Sequence, residues 1–171
     1  CCTLNADLAA TLARLAARGG LDHLVIETTG VGDPLAVAWM LERDGLREHW
    51  RVDAIVTVVD ASAVERLRGD AAEVDLQIAR ADVALVSKLD LTPDAGATVM
   101  GLVRTLNPHA RMLPSPRGAT PWEVLLGVGR PLAPAGIPPD PHVHGTAWET
   151  WAFRTTAPLD EGALEDFLCA L

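Results

Sequence analysis

Two short runs leave this chain little choice of fold. Asp53 to Val59 (DAIVTVV) is rich in β-branched residues, its apolar character interrupted only at Thr57, and Val83 to Val86 (VALV) carries no polar residue. A strand with one wet face alternates apolar and polar residues. A strand without that alternation is buried on both faces, as in a parallel sheet covered by helices. Around these runs the spacing is helical. Leu4, Leu8, Leu12 and Leu15 recur at three- and four-residue steps over 4–18, and Gly19-Gly20 ends the stretch. Asp33-Pro34 opens a second helix, with Asp33 as its cap and Pro34 at the first helical position. A helical stretch over 61–81, broken near Gly69, separates the two strands, and Thr92-Pro93 opens another that stops near Asn107-Pro108. His23 to Ile26 and residues 110–113 read as further strands, and Trp122 to Leu126 as a short helix. Strands alternating with helices predict an α/β fold: a parallel sheet with flanking helices and right-handed crossovers.

Composition narrows the class. The chain has 171 residues, 49% hydrophobic and 22% charged, which is a globular balance. A net charge of -9 argues against a nucleic-acid surface, because phosphate binding needs a cationic face. No stretch approaches the roughly 18 unbroken apolar residues of a membrane span. Three cysteines make no disulfide framework and no signal-peptide pattern opens the chain, so a cytoplasmic location is expected. The sequence begins Cys1-Cys2 without an initiator methionine, and its start is expected upstream or removed.

Lys88 is the only lysine among the 14 basic residues. A Walker A loop needs a lysine after G-x-x-x-x-G, and Lys88 follows Leu85-Val86-Ser87 instead, so no P-loop lies within the chain. No G-x-G-x-x-G turn is present either, which disfavours a dinucleotide oxidoreductase.

Ligands of α/β sheets bind at the carboxyl ends of the strands. Three predicted strand ends carry acidic residues there: Glu27, Asp60 and Asp90. Each also reads as a helix cap or a solvated turn. The tetrad Ser87-Lys88-Leu89-Asp90 says more. A carboxylate at Asp90 accepts two hydrogen bonds, which suits the N1–H and exocyclic amino group of guanine. The aliphatic stem of Lys88 suits the face of a base while its charge stays wet. The plainer reading is a surface lysine beside a capping aspartate.

The tetrad resembles the guanine-specificity motif NKxD, with serine in the asparagine position. Glu27-Thr28-Thr29-Gly30-Val31-Gly32-Asp33-Pro34 resembles the E-[TS]-[TS]-G-x-x-D-P segment of CobW-type P-loop GTPases, relatives of the HypB and UreG metallochaperones. Cys1-Cys2-Thr3-Leu4 is similar to the end of that family's G-C-x-C-C-T-L motif. Gln77-Ile78-Ala79-Arg80-Ala81-Asp82 and Asn107-Pro108-His109-Ala110 match further family positions in order, and 142–153 resembles the start of the family's C-terminal domain. The family's P-loop, its switch I and most of its C-terminal domain have no counterpart, so the chain resembles the middle of such a protein.

The resemblance implies a domain plan: residues 1–130 as a CobW-type nucleotide-binding domain without its P-loop part, 131–145 as a proline-rich linker, and 146–171 as the start of a small α+β C-terminal domain. It implies GTP, Mg2+ and Zn2+ or Co2+ as cofactors, and a guanine nucleotide and a client metalloprotein as partners. Glu27 would hold a magnesium-bound water or orient the attacking water, and Gly30 would offer its N–H to the γ-phosphate. Ser87, Lys88 and Asp90 would bind the base, and Cys1 and Cys2 the metal; a vicinal disulfide is the other reading of the cysteine pair. Asp60 has no assigned role, and Gln77 either bonds backbone near the base or is merely solvated. His142 and His144 read as exposed linker histidines or as ligands, Cys169 as a small core residue, and Trp148 and Trp151 as packing. The activity implied is GTP hydrolysis coupled to delivery of zinc or cobalt, absent from this stretch alone because no phosphate-cradling loop lies in it. The alternative is a non-catalytic metal- or partner-binding remnant.

Overall fold

The unbroken apolar run at 83–86 becomes the middle of the sheet. In the computed structural model, which describes residues 2–30, 32–42, 45–94, 96–130, 160, 162–164 and 167, β2 (Val83–Ser87) lies between β1 (Val56–Asp60) and β3 (Arg111–Ser115). All neighbours are parallel, with Val58 opposite Leu85 and Leu85 opposite Leu113. Val83, Ala84, Leu85 and Val86 are all buried, as a strand covered on both faces requires.

One face of the sheet carries the main core. Val59, Ala84 and Val86 pack with Val64 of α3 (Val64–Asp70), Ile78 of α4 (Glu73–Ala79) and Val99 and Val103 of α5 (Ala97–Leu106). The strand order follows the chain, so right-handed crossovers land the connecting helices on one face, where this core forms. Each fully buried valine or isoleucine stabilises this layer by roughly 1.5–3 kcal/mol. A second cluster joins α1 (Cys2–Arg18) to α2 (Pro34–Leu41): Leu12, Met40, Leu41 and Leu46 are buried together, and Trp50 Nε1 donates to the Leu12 carbonyl at 3.2 Å.

The structure corrects three expectations. His23 to Ile26 is not a strand; it has no ladder partner among the described residues. Its sidedness comes from Leu24 and Ile26 packing on the α1–α2 cluster, while Val25 is 87% exposed. β1 is not buried on both faces: Val59 is covered, but Val58 is 67% exposed, because β1 is an edge strand among the described residues. The helix expected from Thr92-Pro93 begins at Ala97 instead. Leu89–Leu91 forms a 3-10 turn first, and the Asp94 carboxylate then accepts the N–H groups of Gly96 (3.0 Å) and Thr98 (2.7 Å) at the helix start. Gly96 is required there: its φ is +81°, and a Cβ would come within 2.0 Å of the Leu89 side chain.

Asn107 does more than stop α5. Its buried amide donates to the carbonyls of Ile78 (3.0 Å), Ala79 (3.1 Å) and Ala81 (2.8 Å), closing the end of α4, and its Oδ1 accepts the N–H of Ala110 (3.0 Å). The proposed linker, His142, His144, Trp148, Trp151 and Cys169 lie outside the described residues, as does most of the expected C-terminal domain. Within the expected C-terminal domain, 162–164 and 167 are described and helical. No helix among the described residues is long and apolar enough to cross a membrane.

Candidate functional site

Register brings the carboxyl ends of β1 and β2 together, Asp60 opposite Ser87. Ser87 Oγ donates to the Val59 carbonyl at 3.3 Å, a contact within the sheet. The chain then turns sharply: Lys88 adopts a left-handed backbone, φ 55°. From there its Nζ reaches Asp60 Oδ2 at 2.6 Å. Asp60 Oδ1 accepts the Ser62 N–H (2.9 Å) and hydroxyl (2.6 Å). Partial burial alone would raise the Asp60 carboxyl, but the hydrogen bonds from Lys88 and Ser62 outweigh it and hold the group below its ordinary range. Leu89 packs on the main core and anchors the turn, and Lys88 and Asp90 on either side of it are exposed. The strand edge thus presents a cation steadied by Asp60 and an accessible carboxylate two residues on.

A second group of contacts gathers the loop before α2. Gln77 Nε2 donates to the carbonyls of Gly30 (2.8 Å) and Gly32 (3.0 Å). Three residues along α4, the Arg80 guanidinium pairs with the Asp33 carboxylate, which also accepts the Leu35 N–H at 3.0 Å as the α2 cap. Gly32 closes a tight turn, its N–H 2.8 Å from the Thr29 carbonyl, where a Cβ would sit only 3.0 Å from that oxygen. Beside Gly30, by contrast, a Cβ would meet nothing within 4 Å.

Of the residues singled out in the sequence, Ser87 and Lys88 sit together at the β2 edge with Asp60, and Asp90 is in the turn that follows. Glu27 is exposed and follows an extended segment that is no strand, so it is not at a strand end of the described sheet. Cys1 and the side chain of Cys2 lie outside the described residues. Among the described residues, no three His, Cys, Asp or Glu side chains gather as a metal site.

The family model described as CobW/HypB/UreG, nucleotide-binding domain, matches residues 1–114. The chain belongs to the CobW/HypB/UreG family. It is 32% identical to a zinc-regulated GTPase metalloprotein activator 1 of Dictyostelium discoideum, over 75% of this chain and 33% of that protein. It is 29% identical to a zinc chaperone CobW of Pseudomonas aeruginosa, over 75% of this chain and 41% of that one. The fold matches that of the Zn(II)-bound YjiA GTPase from E. coli with a TM-score of 0.62 at 23% identity, covering 82% of this chain and 44% of that structure. This CobW/HypB/UreG chain spans about a third of the length of the first of these relatives.

Three features of the family chain join partners that the sequence alone does not pair. The Asp60 contact to Lys88 is signalled only by both residues ending neighbouring strands. The Gln77 clamp joins residues 47 positions apart; the motif at 77–82 marks Gln77 and Arg80, but nothing local marks Gly30, Gly32 or Asp33 as their partners. The third lies at the amino end of the sheet, where Asp53 accepts the N–H groups of Gly127 (2.6 Å) and Gly129 (3.0 Å). Beside it, Arg130 donates to Asp82 at 2.5 Å.

Proposed function

We propose that this chain is the guanine-reading part of a GTP-hydrolysing metallochaperone, whose nucleotide cycle gates delivery of a divalent metal, zinc or cobalt, to a client metalloprotein. The observation that carries the reading is the turn after β2: Leu89 is anchored in the core while Lys88 and Asp90 are exposed beside it at the carboxyl edge of the sheet. Asp90 accepts the N1–H and amino group of guanine, Lys88 lies along the base with its charge steadied by Asp60, and Ser87 braces the strand end. Serine here is shorter than the asparagine of NKxD, which weakens base affinity without changing its preference.

Gly30 offers its backbone N–H to the terminal phosphate, consistent with the open space beside it. Glu27, an exposed carboxylate, holds a magnesium-bound water or orients the attacking water. Magnesium, arriving with the nucleotide, neutralises phosphate charge. Asp60 is engaged by Lys88 and Ser62 and is not proposed as its ligand. Zinc or cobalt is cargo, held by thiolates at Cys1 and Cys2, a donor type that soft divalent ions favour. The zinc-regulated activator and the zinc chaperone among the relatives support zinc before cobalt. No phosphate-cradling lysine loop lies within these residues, so hydrolysis belongs to the full product of the gene.

The test is competitive binding of GTP, ATP and XTP to that full product, with and without zinc. GTP should be preferred over ATP by at least about tenfold, the discrimination that an unmatched hydrogen-bonding edge gives. Equal binding of ATP and GTP would overturn the guanine reading.

A further inference from the structure

We propose that Arg117 reads the acceptor edge of the guanine base, completing with Asp90 a two-sided contact to the purine; the proposal rests on the nucleotide reading above and adds a specificity-determining residue to it. The chemistry of the base sets the requirement. A carboxylate only accepts hydrogen bonds, so Asp90 serves N1–H and the exocyclic amino group and leaves O6 and N7, both acceptors, without donors. A guanidinium fork matches O6 and N7 together. Adenine offers at the same edge one acceptor and an amino group, and a guanidinium cannot accept from the latter.

Two donors already at this edge are engaged within the protein. Ser87 has one hydroxyl hydrogen, and it goes to the Val59 carbonyl at 3.3 Å. Lys88 turns toward β1, where Asp60 holds its ammonium at 2.6 Å. Arg117 lies on the other side of β2. There β3 ends at Ser115, opposite Ser87 in the parallel register, and Pro116–Gly118 forms a 3-10 turn beside the end of β2. Arg117 is exposed in that turn, and its guanidinium has no hydrogen bond or ion pair among the described residues. Its φ is 50°, and Lys88, at 55°, is the only other non-glycine residue with a positive φ among the described residues. Non-glycine residues held in this region cluster at ligand-binding sites. Both stand here on adjoining strand ends, and neighbouring strands lie only about 4.8 Å apart. One turn carries the free carboxylate of Asp90 and the other a free guanidinium, complementary to the two adjacent edges of one guanine.

The test uses the full gene product and 7-deaza-GTP, in which a C–H group replaces N7 and the edge facing Asp90 is untouched. The unsubstituted protein should bind 7-deaza-GTP about tenfold more weakly than GTP, and Arg117→Ala should bring the two within about twofold of each other. The preference for GTP over ATP should narrow in the same variant. Arg117→Gly removes the fork and suits a positive φ, so it should lose the same discrimination with the turn relaxed. Discrimination that stays at about tenfold in both variants assigns N7 to another group and overturns the proposal. Uniform weakening of both nucleotides, which a structural or phosphate contact would give, also overturns it. If the unsubstituted protein binds no guanine nucleotide, the nucleotide reading fails and Arg117 with it. If it prefers GTP to ATP but binds 7-deaza-GTP equally well, the role of Arg117 alone is overturned.

Discussion

Lys88 reaches back across the carboxyl edge of the sheet to Asp60, Nζ to Oδ2 at 2.6 Å, from a left-handed backbone with φ 55°. A non-glycine residue in that region costs about 1–2 kcal/mol. The ion pair, with the lysine side chain 55% exposed and the aspartate 29%, contributes at most about 1 kcal/mol after solvent screening. The pair alone therefore does not hold the turn. Leu89, packed on the core one residue later, supplies the rest, and the effect is to fix the chain's single lysine at the strand edge.

Asp60 gives that edge a pH signature. Its carboxyl is held below the ordinary value near 3.8: burial opposes the shift, and the Lys88 and Ser62 hydrogen bonds exceed it. A depressed folded-state pKa contributes stability above the unfolded value and loses it as pH falls through the folded one. Urea unfolding between pH 3 and 7 should therefore show Asp60→Asn slightly less stable at neutral pH, by under about 1 kcal/mol, with the gap closing below about pH 4. A gap that does not narrow at all from pH 7 to pH 3 would place the effect in packing.

Asp90 should set base choice. In the full gene product, Asp90→Asn exchanges an acceptor for a donor, which opposes guanine and suits xanthine, whose C2 position carries an acceptor. Loss of a charge-assisted pair should weaken GTP by about 30- to 1,000-fold and shift preference toward XTP. Lys88→Ala should weaken all purine nucleotides without changing their order. Competition binding reads both; GTP affinity unchanged in Asp90→Asn reduces Asp90 to a turn residue.

The outer face of β1 should make these 171 residues sticky when expressed alone. Val56 and Val58 are 39% and 67% exposed on an edge strand, and Val25 is 87% exposed. Edges of this kind pair with other chains. A dye for exposed apolar surface should bind the chain, and Val56→Thr with Val58→Thr should lower that signal while leaving the melting temperature within a few degrees, since neither side chain is in the core. No dye binding by the unsubstituted chain would contradict this.

How far the fold could be read from sequence depended on where each residue's partner lies. Val83 to Val86 declare the central strand because burial on both faces leaves an unbroken apolar run. The same signature misleads at Val56 and Val58, which carry core-type side chains on a face that the described residues leave open. His23 to Ile26 reads as a strand because Leu24-Val25-Ile26 is a short apolar run, yet Leu24 and Ile26 are held by helices and Val25 is exposed. The tetrad at 87–90 was legible because its residues are contiguous. The motif at 77–82 marks Gln77 but not its partners, since Gly30 and Gly32 are distant in sequence and a glutamine on a short helix carries no local mark of what it binds.

Asp53 should hold the return of the chain at 127–130. Burial would raise its carboxyl, but hydrogen bonds from the Gly129, Gly127 and Val128 backbone and the nearby Arg51 charge bring it below the ordinary range. Asp53→Ala should cost about 1 kcal/mol at pH 7 and speed deuterium exchange over 126–130. The sign is that of a depressed carboxylate, so the difference from the unsubstituted chain should shrink as pH falls below about 4. Exchange that stays slow in the variant would show that Arg130 and Asp82 hold the segment without it.

Asn107 is the most demanding polar residue in the core. It is 8% exposed, and one amide faces the carbonyls of Ile78, Ala79 and Ala81 while its oxygen accepts the N–H groups of His109 and Ala110. Asn107→Ala leaves these groups without their partner and should cost roughly 2–4 kcal/mol. Asn107→Asp is nearly the same size and should be worse at pH 7, because an ionised carboxylate would face three carbonyl oxygens in a buried site. That burial raises the folded-state pKa of the introduced group, so its penalty should ease as pH falls through that raised value, whereas the alanine variant has no such group to titrate. Urea unfolding of both variants at pH 5 and pH 7 separates the two effects. If Asn107→Asp matches Asn107→Ala at both pH values, its carboxylate has turned to solvent, and no charge is buried against the carbonyls of α4.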